Sequence, residues 1–295
     1  MRRTAALLLF AITPLLSAGA HAACPAAGPA AEQVRNAATP GDAVQLLALQ
    51  LLDCLSDPDP SRRDGFAFEQ LSTWMRSNAL EPATLQAIRQ RLLPALQSKD
   101  TAGFLAPFAA LTLSEVARVD RLKPFLSPAE RDDLLQQAAN YLSTLTDRRG
   151  FDPKEGWRHG VAHGADLLMQ LSLNPALDAK QQRCILDAVA TQVLADGKTA
   201  YVFGEGQRLA RPALFAALRS EIDSAAWAAW LSGALAPLYP PDPILDAPLD
   251  AARLARLHNA REFLWPLYVS IAELKDEAAR QRLLPAVSQA LKKLR

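Results

Sequence analysis

The stretch VQLLALQLLDCL, residues 44–55, indicates the fold class. Its apolar residues recur at intervals of three and four, which is the period of one face of an α-helix, and not at the interval of two that a half-buried strand shows. RLLPALQ (91–97) and ILDAVATQVLA (185–195) repeat this pattern, and the run YVF at 201–203 is too short to build a sheet on. We therefore predict an all-α protein.

Capping signals mark the boundaries between the helices. SPAE at 127–130 combines a capping-box Ser and Glu with a first-turn Pro, and DAKQ at 178–181 repeats the box in acidic form. Helices separated by such short turns form antiparallel hairpins. We expect these hairpins to stack as an α-α superhelix of the HEAT-like kind, although the sequence shows no clean repeat. Further breaks fall at 57–60, 81–82, 147–153 and 237–248.

The N-terminus resembles a secretory signal peptide over residues 1–22. A basic start precedes an apolar core at 5–16, and AHA at 20–22 matches the small-x-small cleavage pattern. The core is too short to span a bilayer as a membrane helix. We predict export to the periplasm or the medium, a single all-helical domain over 23–295, and no integral membrane segment after cleavage.

The charge balance argues against a nucleic-acid partner. Cleavage would remove Arg2 and Arg3 from the 32 Lys and Arg residues, which leaves 30 basic residues against 31 acidic ones and a formal charge of −1. A nucleic-acid-binding domain usually carries a basic face. We therefore expect the partner to be a protein or a small molecule, whose identity the sequence does not specify.

Three cysteines remain after the predicted cleavage: Cys24, Cys54 and Cys184. An odd number in an exported chain allows at most one internal pair. Cys24 and Cys54 both lie near the N-terminal end, so we predict a disulfide between them. The sequence has no CxxC motif, so a zinc-thiolate site has no support.

GWRHGVAHGAD, residues 156–166, holds two of the four histidines. If a helix starts where this stretch starts, His159, His163 and Asp166 lie at i, i+4 and i+7 on one face. Two histidines at i and i+4 can bind one zinc ion in the HExxH motif, but Gly160 stands where that motif has its glutamate. A divalent metal such as zinc, held by His159, His163 and Asp166, remains one interpretation.

Other polar and aromatic residues are expected beside these histidines. Some belong to the turn before the stretch, some to GEGQRLAR (204–211), where a helix is expected to start, and one to LHNAREFLWPLY (257–268). Whether the third mature histidine meets the other two is left open. The predicted pocket comprises Asp147, Arg149, Trp157, His159, His163, Asp166, Glu205, Arg208 and His258.

Taken together, these segments resemble a bacterial family known as domain of unknown function 2785. The resemblance rests on residues 51–75, 141–168 and 203–210, and more weakly on 257–268. It implies an all-helical fold and no established reaction. Carried over residue by residue, it selects Asp147, Arg149, Gly150, Trp157, His159, His163, Asp166, Glu205, Arg208 and Leu209.

The chain departs from the family pattern in two respects. Family members often carry an Arg-Ser-Phe segment where this chain has Ala106-Pro107-Phe108. The export signal also differs from the cytoplasmic location expected for the family.

The leading interpretation is an exported helical protein that binds a ligand or partner through a polar pocket around residues 147–166. One alternative is a metal-dependent hydrolase in which His159, His163 and Asp166 hold the metal and activate water. The other is a scaffold in which the histidines only hydrogen-bond helices together.

Overall fold

The computed structural model describes residues 24–25, 41–219, 222–238 and 250–294. The predicted signal peptide, residues 1–22, and residues 239–248 of the Pro-rich stretch lie outside these ranges. The regular secondary structure of the described part of the chain is helical apart from one small hairpin, so the predicted all-α class is confirmed. No helix within these ranges is long and apolar enough to cross a bilayer.

The helices and strands are named here in chain order over the described residues. The helices are α1 (Asp42–Leu51), α2 (Glu69–Arg76), α3 (Pro82–Leu92), α4 (Leu105–Leu122), α5 (Pro128–Thr144), α6 (Gly160–Ser172), α7 (Ala179–Val193), α8 (Glu205–Ala217), α9 (Ser224–Leu235), α10 (Ala251–Ala272) and α11 (Glu277–Lys293). The strands are β1 (Phe151–Asp152) and β2 (Gly156–Trp157), which pair antiparallel. Shorter segments are 3₁₀ turns at Leu52–Ser56, Pro94–Gln97 and Ala236–Leu238 and a π-helical segment at Ser61–Phe68.

Alternate helices pack side by side. Helix α6 lies between α4 and α8, and α8 in turn packs on α10. Helices α5, α7 and α9 follow one another in the same way, and α5 also contacts α6 while α7 contacts α8. Stacked antiparallel hairpins require this pairing of each helix with the next but one. The superhelical winding of the stack stays a prediction.

Both predicted capping boxes are confirmed. At the start of α5, the Ser127 hydroxyl accepts from the Glu130 amide at 3.3 Å and the Glu130 carboxylate accepts from the Ser127 amide at 2.8 Å. At the start of α7, Asp178 and Gln181 form the same reciprocal pair at 2.8 and 3.0 Å. Each box satisfies two amides that the first helical turn leaves without partners.

The expected helix start at residue 156 is wrong. Residues 151–157 form the β1–β2 hairpin, and α6 begins only at Gly160. The Asp152 carboxylate accepts from the amides of Lys154 and Glu155 at 2.8 and 3.0 Å, which closes the turn between the strands. This side chain stabilises a turn at residues 152–155, where Pro153 and Gly156 also disfavour helix.

One buried polar network joins α4, α5 and the loop after α6. Asp120, which is 1% exposed, accepts hydrogen bonds from the Leu126 amide at 2.9 Å, from Arg131 Nε at 2.7 Å and from Asn174 Nδ2 at 3.1 Å. Burial alone would raise the pKa of Asp120, but Arg131 and the backbone donors hold it below its usual value. Backbone amides and two side chains of the protein therefore supply this buried carboxylate with donors.

A disulfide joins Cys24 to Cys54, 30 positions along the chain, which is the pair expected from the sequence. Cys54 is fully buried in the core, and the Arg62 guanidinium donates to the Cys24 carbonyl at 3.1 Å. Cys24 is therefore fixed to the N-terminal end of the helical array by a covalent bond and a hydrogen bond.

Two glycines allow α5 and α6 to approach closely. A Cβ at Gly164 would lie 3.0 Å from Tyr141 Cε1 and 3.1 Å from Leu142 Cδ1, and one at Gly160 would lie 3.0 Å from the Tyr141 hydroxyl. That hydroxyl donates to the Gly160 carbonyl at 3.3 Å. The close packing of a buried tyrosine offsets the low helix propensity of the two glycines.

The Gly164→Ala substitution is expected to lower the free energy of unfolding by about 1–3 kcal/mol, because the new methyl group overpacks this contact. Gly233→Ala in α9 is the matched control, since a Cβ there meets nothing within 4 Å. The control should stabilise the protein by up to about 1 kcal/mol through helix propensity alone. Urea unfolding of both variants measures this, and equal stabilisation of both would contradict the packing argument.

Candidate functional site

His159 lies at the junction between the hairpin and α6. Its amide donates to the Arg149 carbonyl at 3.1 Å, and the Arg158 amide donates to the Gly150 carbonyl at 3.0 Å, which extends the hairpin pairing. The residue has a φ of +55°, in the left-handed region that non-glycine residues rarely adopt. This conformation turns the chain from strand to helix and leaves the His159 side chain buried below the hairpin.

A column of aromatic rings starts at the surface and ends in the core. The Trp157 ring stacks on His159 at 4.7 Å between centroids, His159 meets His163 at 5.6 Å, and His163 meets Phe108 at 5.4 Å. Phe151 and Phe203 flank Trp157 at 4.9 and 5.7 Å. These three outer side chains, which we call the aromatic roof, are 36–45% exposed.

The roof depends on a glycine. A Cβ at Gly150 would lie 2.1 Å from Phe203 Cδ2, so only glycine lets the Phe203 ring lie against the hairpin. Gly150 is among the residues that the family resemblance selects, and this contact is a physical reason for it.

Glu205 is the first residue of α8 and follows Gly204, whose φ is +85°. It is 3% exposed, and its Oε2 accepts from the Phe203 amide at 2.9 Å. Its Oε1 lies 3.9 Å from His159 Nε2, which is beyond hydrogen-bond distance. Burial raises the pKa of Glu205, the nearby Glu262 raises it further, and the backbone donors oppose the change. Among the described residues, no lysine or arginine forms an ion pair with this carboxylate.

Both imidazoles are neutral at physiological pH. Burial lowers the pKa of His159 to about 4, with a further contribution from Arg208. Burial lowers the pKa of His163 to about 3, and His159 and Arg208 add to the effect. A neutral imidazole has one nitrogen that donates and one that only accepts.

The backbone contacts identify the accepting nitrogens. His163 hydrogen-bonds the backbone of Pro107, which has no N–H, so the imidazole donates to the carbonyl. His159 hydrogen-bonds the backbone of Phe203, whose amide already donates to Glu205, so the imidazole again donates. The remaining atoms, His159 Nε2 and His163 Nδ1, are buried and receive no hydrogen bond from the described protein. We call His159, His163 and Glu205 the acceptor cluster.

The neighbouring acids differ from Glu205 because each is paired with an arginine. Asp166, on α6, forms an ion pair with Arg208, on α8. Burial raises the pKa of Asp166, and Arg208 opposes that rise. Glu115, on α4, accepts from Arg76 Nε at 3.0 Å. The acceptor cluster therefore has a neutralised Asp166–Arg208 pair beside it and a neutralised Glu115–Arg76 pair beyond that, while its own carboxylate lacks a cation.

Three of the predicted pocket residues make their contacts elsewhere. Asp147 Oδ1 accepts from Arg149 Nε at 2.8 Å, and Arg149 also donates to the Ala102 carbonyl at 3.3 Å. Only the backbone of Arg149 reaches the site. His258 Nε2 hydrogen-bonds the Tyr201 carbonyl at 2.8 Å, so it holds the loop before Phe203 and does not join the other two histidines.

The predicted metal ligand set is not formed. Within the described ranges, no three His, Cys, Asp or Glu side chains are grouped so that they could hold a metal ion. The reason is that His159 precedes α6 instead of lying in it, and that Asp166 pairs with Arg208. The His163 amide still donates to the His159 carbonyl at 3.0 Å, but the left-handed backbone of His159 takes its side chain off the helix face on which the prediction rested.

The sequence analysis missed Arg63, Phe104 and Arg158. The guanidinium carbons of Arg63 and Arg158 lie 4.0 and 4.3 Å from the centre of the Phe104 ring, just below the hairpin. Both arginines are buried, which no local pattern indicates. The one available signal for Arg63 was its place in the segment 51–75 that carries part of the family resemblance.

A family model described as "Protein of unknown function (DUF2785)" matches residues 80–269, well over half of the 295-residue chain. The chain belongs to this family. The resemblance seen in the sequence is thereby confirmed, and the matched range contains the acceptor cluster, the aromatic roof and both paired acids. Searches of curated proteins and of solved structures found no match.

Acid should destabilise the protein through its histidines. A histidine whose pKa is about 3 when folded and 6.5 when unfolded stabilises the fold fully above pH 6.5, and this contribution is lost as the pH falls toward 3. Asp166 and Glu205, whose folded pKa values are raised, act in the opposite sense. A comparison between the protein and its His163→Gln variant therefore isolates the histidine.

The parent should lose about 2 kcal/mol more unfolding free energy than His163→Gln between pH 6.5 and 4.5, since each pKa unit is worth about 1.4 kcal/mol. Urea unfolding at several pH values in this range measures the difference. If the free energy of unfolding changed with pH by the same amount in both proteins, His163 would not have the lowered pKa that its burial implies.

Proposed function

We propose that this protein is an exported binding protein whose ligand occupies the acceptor cluster beneath the aromatic roof. The observation that carries the proposal is His159 Nε2, which is buried without a donor 3.9 Å from the oxygen of a carboxylate that lacks a cation. Buried acceptors without partners cost free energy, so native proteins rarely keep them without a functional reason. A ligand that donates hydrogen bonds would supply the missing partners.

A comparison within the same molecule supports this interpretation over a purely structural one. Asp120 is as buried as Glu205, but it accepts from two side chains and from backbone amides. A network that only locks helices together is expected to look like that around Asp120, with its acceptors satisfied internally. Glu205 has the backbone donor Phe203 and faces another acceptor in His159.

The roof supplies the second half of a binding site. Exposed aromatic side chains provide a large apolar contact area at small entropic cost, and they commonly anchor ligands and partners. Phe151, Trp157 and Phe203 provide this area directly above the polar cluster. Apolar walls with a few convergent polar groups are typical of ligand sites.

The Glu205→Gln substitution distinguishes a binding site from a polar contact that only holds helices together. Glutamine keeps the oxygen that accepts from the Phe203 amide, removes an uncompensated buried charge and places an NH2 group instead of a second acceptor opposite His159 Nε2. We expect it to raise the free energy of unfolding by about 1–2 kcal/mol. The matched acid-to-amide control, Asp120→Asn, should lower it by about 3–5 kcal/mol because it leaves Arg131 buried without its charge partner. Destabilisation by Glu205→Gln comparable to that of the control would indicate a scaffold.

The binding step itself is tested by thermal shift. Separate sets of neutral sugars, amines and carboxylic acids are added to the purified protein and to its Trp157→Ala variant. A ligand at the site should raise the melting temperature of the parent in a concentration-dependent way and leave the variant unchanged. Shifts of equal size in both proteins, or none across all three sets, would argue against a site beneath the roof.

Export is the other part of the proposal. The Cys24–Cys54 disulfide supports it, because such bonds persist in oxidising compartments and are rare in a reducing cytosol. Cys24 would be the second residue of a chain that begins at Ala23. The intact mass of the protein from the periplasmic fraction should correspond to residues 23–295 with one disulfide. A full-length reduced chain confined to the cytosol would contradict export.

A further inference from the structure

The acceptor cluster favours one ligand chemistry over others. We infer that the ligand presents an ammonium group to His159 and Glu205 while an aromatic body of the same ligand rests on the aromatic roof. This inference rests on the proposed binding function and specifies the class of ligand.

The hydrogen-bonding groups of the cluster favour a ligand that donates. His159 Nε2 and Glu205 Oε1 are both acceptors, and His163 Nδ1 is a third acceptor farther along the ring column. A carboxylate or phosphate ligand would add acceptors to a site that already has a surplus. A hydroxyl group brings one donor, whereas an ammonium group brings three. Two acceptors 3.9 Å apart can both lie about 2.9 Å from a single bridging nitrogen.

The charge of the Glu205 carboxylate favours a cationic ligand. The arginines that act on the cluster are committed, Arg208 to Asp166 and Arg63 to Asp64 and two backbone carbonyls. Glu205 faces the neutral His159, which brings no positive charge to the carboxylate. A buried carboxylate is stable when a cation pairs with it, and within the described residues none does. A cationic ligand completes this pair.

The arrangement of the aromatic rings also favours a cation attached to an apolar body. Trp157 stacks on the His159 ring, and Phe203 meets Trp157 edge to face at 5.7 Å. A cation that reaches Glu205 passes beside these rings, whose electron-rich faces attract positive charge. The exposed surfaces of Phe151 and Phe203 then remain available for an apolar or aromatic body of the ligand.

A series with one aromatic body and three head groups tests the inference. Phenethylamine, phenethyl alcohol and hydrocinnamate share a phenyl ring on a short chain and end in an ammonium, a hydroxyl and a carboxylate group. Calorimetric titration at neutral pH should give a dissociation constant about tenfold lower for the amine than for the alcohol, as expected for hydrogen bonds that involve charge. The carboxylate should bind most weakly.

Two variants make the result specific. In Glu205→Gln the preference for the amine over the alcohol should disappear, while the protein stays folded because glutamine preserves the acceptor for the Phe203 amide. Glu262→Gln removes a neighbouring but exposed carboxylate. It should change amine binding by less than about twofold because solvent screens exposed charges.

The outcomes separate this inference from the proposed function. Equal or tighter binding of the alcohol or the carboxylate, lost in Trp157→Ala, would overturn the ammonium assignment and leave a ligand site beneath the roof. Amine binding that Glu205→Gln does not weaken would overturn the assignment as well. No amine binding up to about 10 mM, the range of the weakest specific ligands, would also overturn it. The thermal-shift sets decide the proposed function independently.

Discussion

The position of the site depends on one fully buried guanidinium, that of Arg63. It donates to the Asp57 carbonyl at 2.9 Å and to the Glu155 carbonyl at 2.8 Å, which lie 98 residues apart along the chain. Its flat face covers the Phe104 ring at the start of α4. Because Glu155 belongs to the turn of the hairpin, this single side chain fixes the hairpin to the N-terminal segment. The burial of an arginine is tolerable only because its donors are used in this way.

The same constraint explains local features that look unrelated. A Cβ at Gly156 would lie 3.0 Å from Arg63 Nη2, and its φ of +75° also favours glycine, so the hairpin has no side chain where the guanidinium passes. On the other side, Arg158 lies against the same Phe104 ring and donates to the Ala102 carbonyl at 2.6 Å. The hairpin is therefore held from below at two points. His159 follows directly and takes its left-handed conformation from this fixed frame.

The sequence predicted what is encoded locally. Periodicity and capping residues located the helices, and both boxes, at 127–130 and 178–181, form as expected. The start of α6 was misplaced because the residues after the Asp152 turn pair as a hairpin strand, so the helix begins only at Gly160. The metal site was inferred from the helical spacing of His159 and His163, but the left-handed backbone at His159 takes its side chain off that helix face. Contacts such as that between Arg63 and Glu155, 92 residues apart, depend on packing and leave no periodic signal in the chain.

The packing of alternate helices explains why the acceptor cluster arises where it does. Helices α6 and α8 lie side by side, so residues about 40 positions apart, such as Asp166 and Arg208, come into contact. The short loops before these two helices lie next to each other, and they bring Trp157 and His159 against Phe203 and Glu205. Residues at the starts of these helices and in the loops before them lie at the end of the stack, where the side-chain acceptors His159 Nε2 and Glu205 Oε1 are not surrounded by donors from packed helices. A polar site with unused acceptors is therefore favoured at the ends of adjacent helices. The rigid stack behind the site holds these acceptors in place, so they cannot move to find donors elsewhere in the protein.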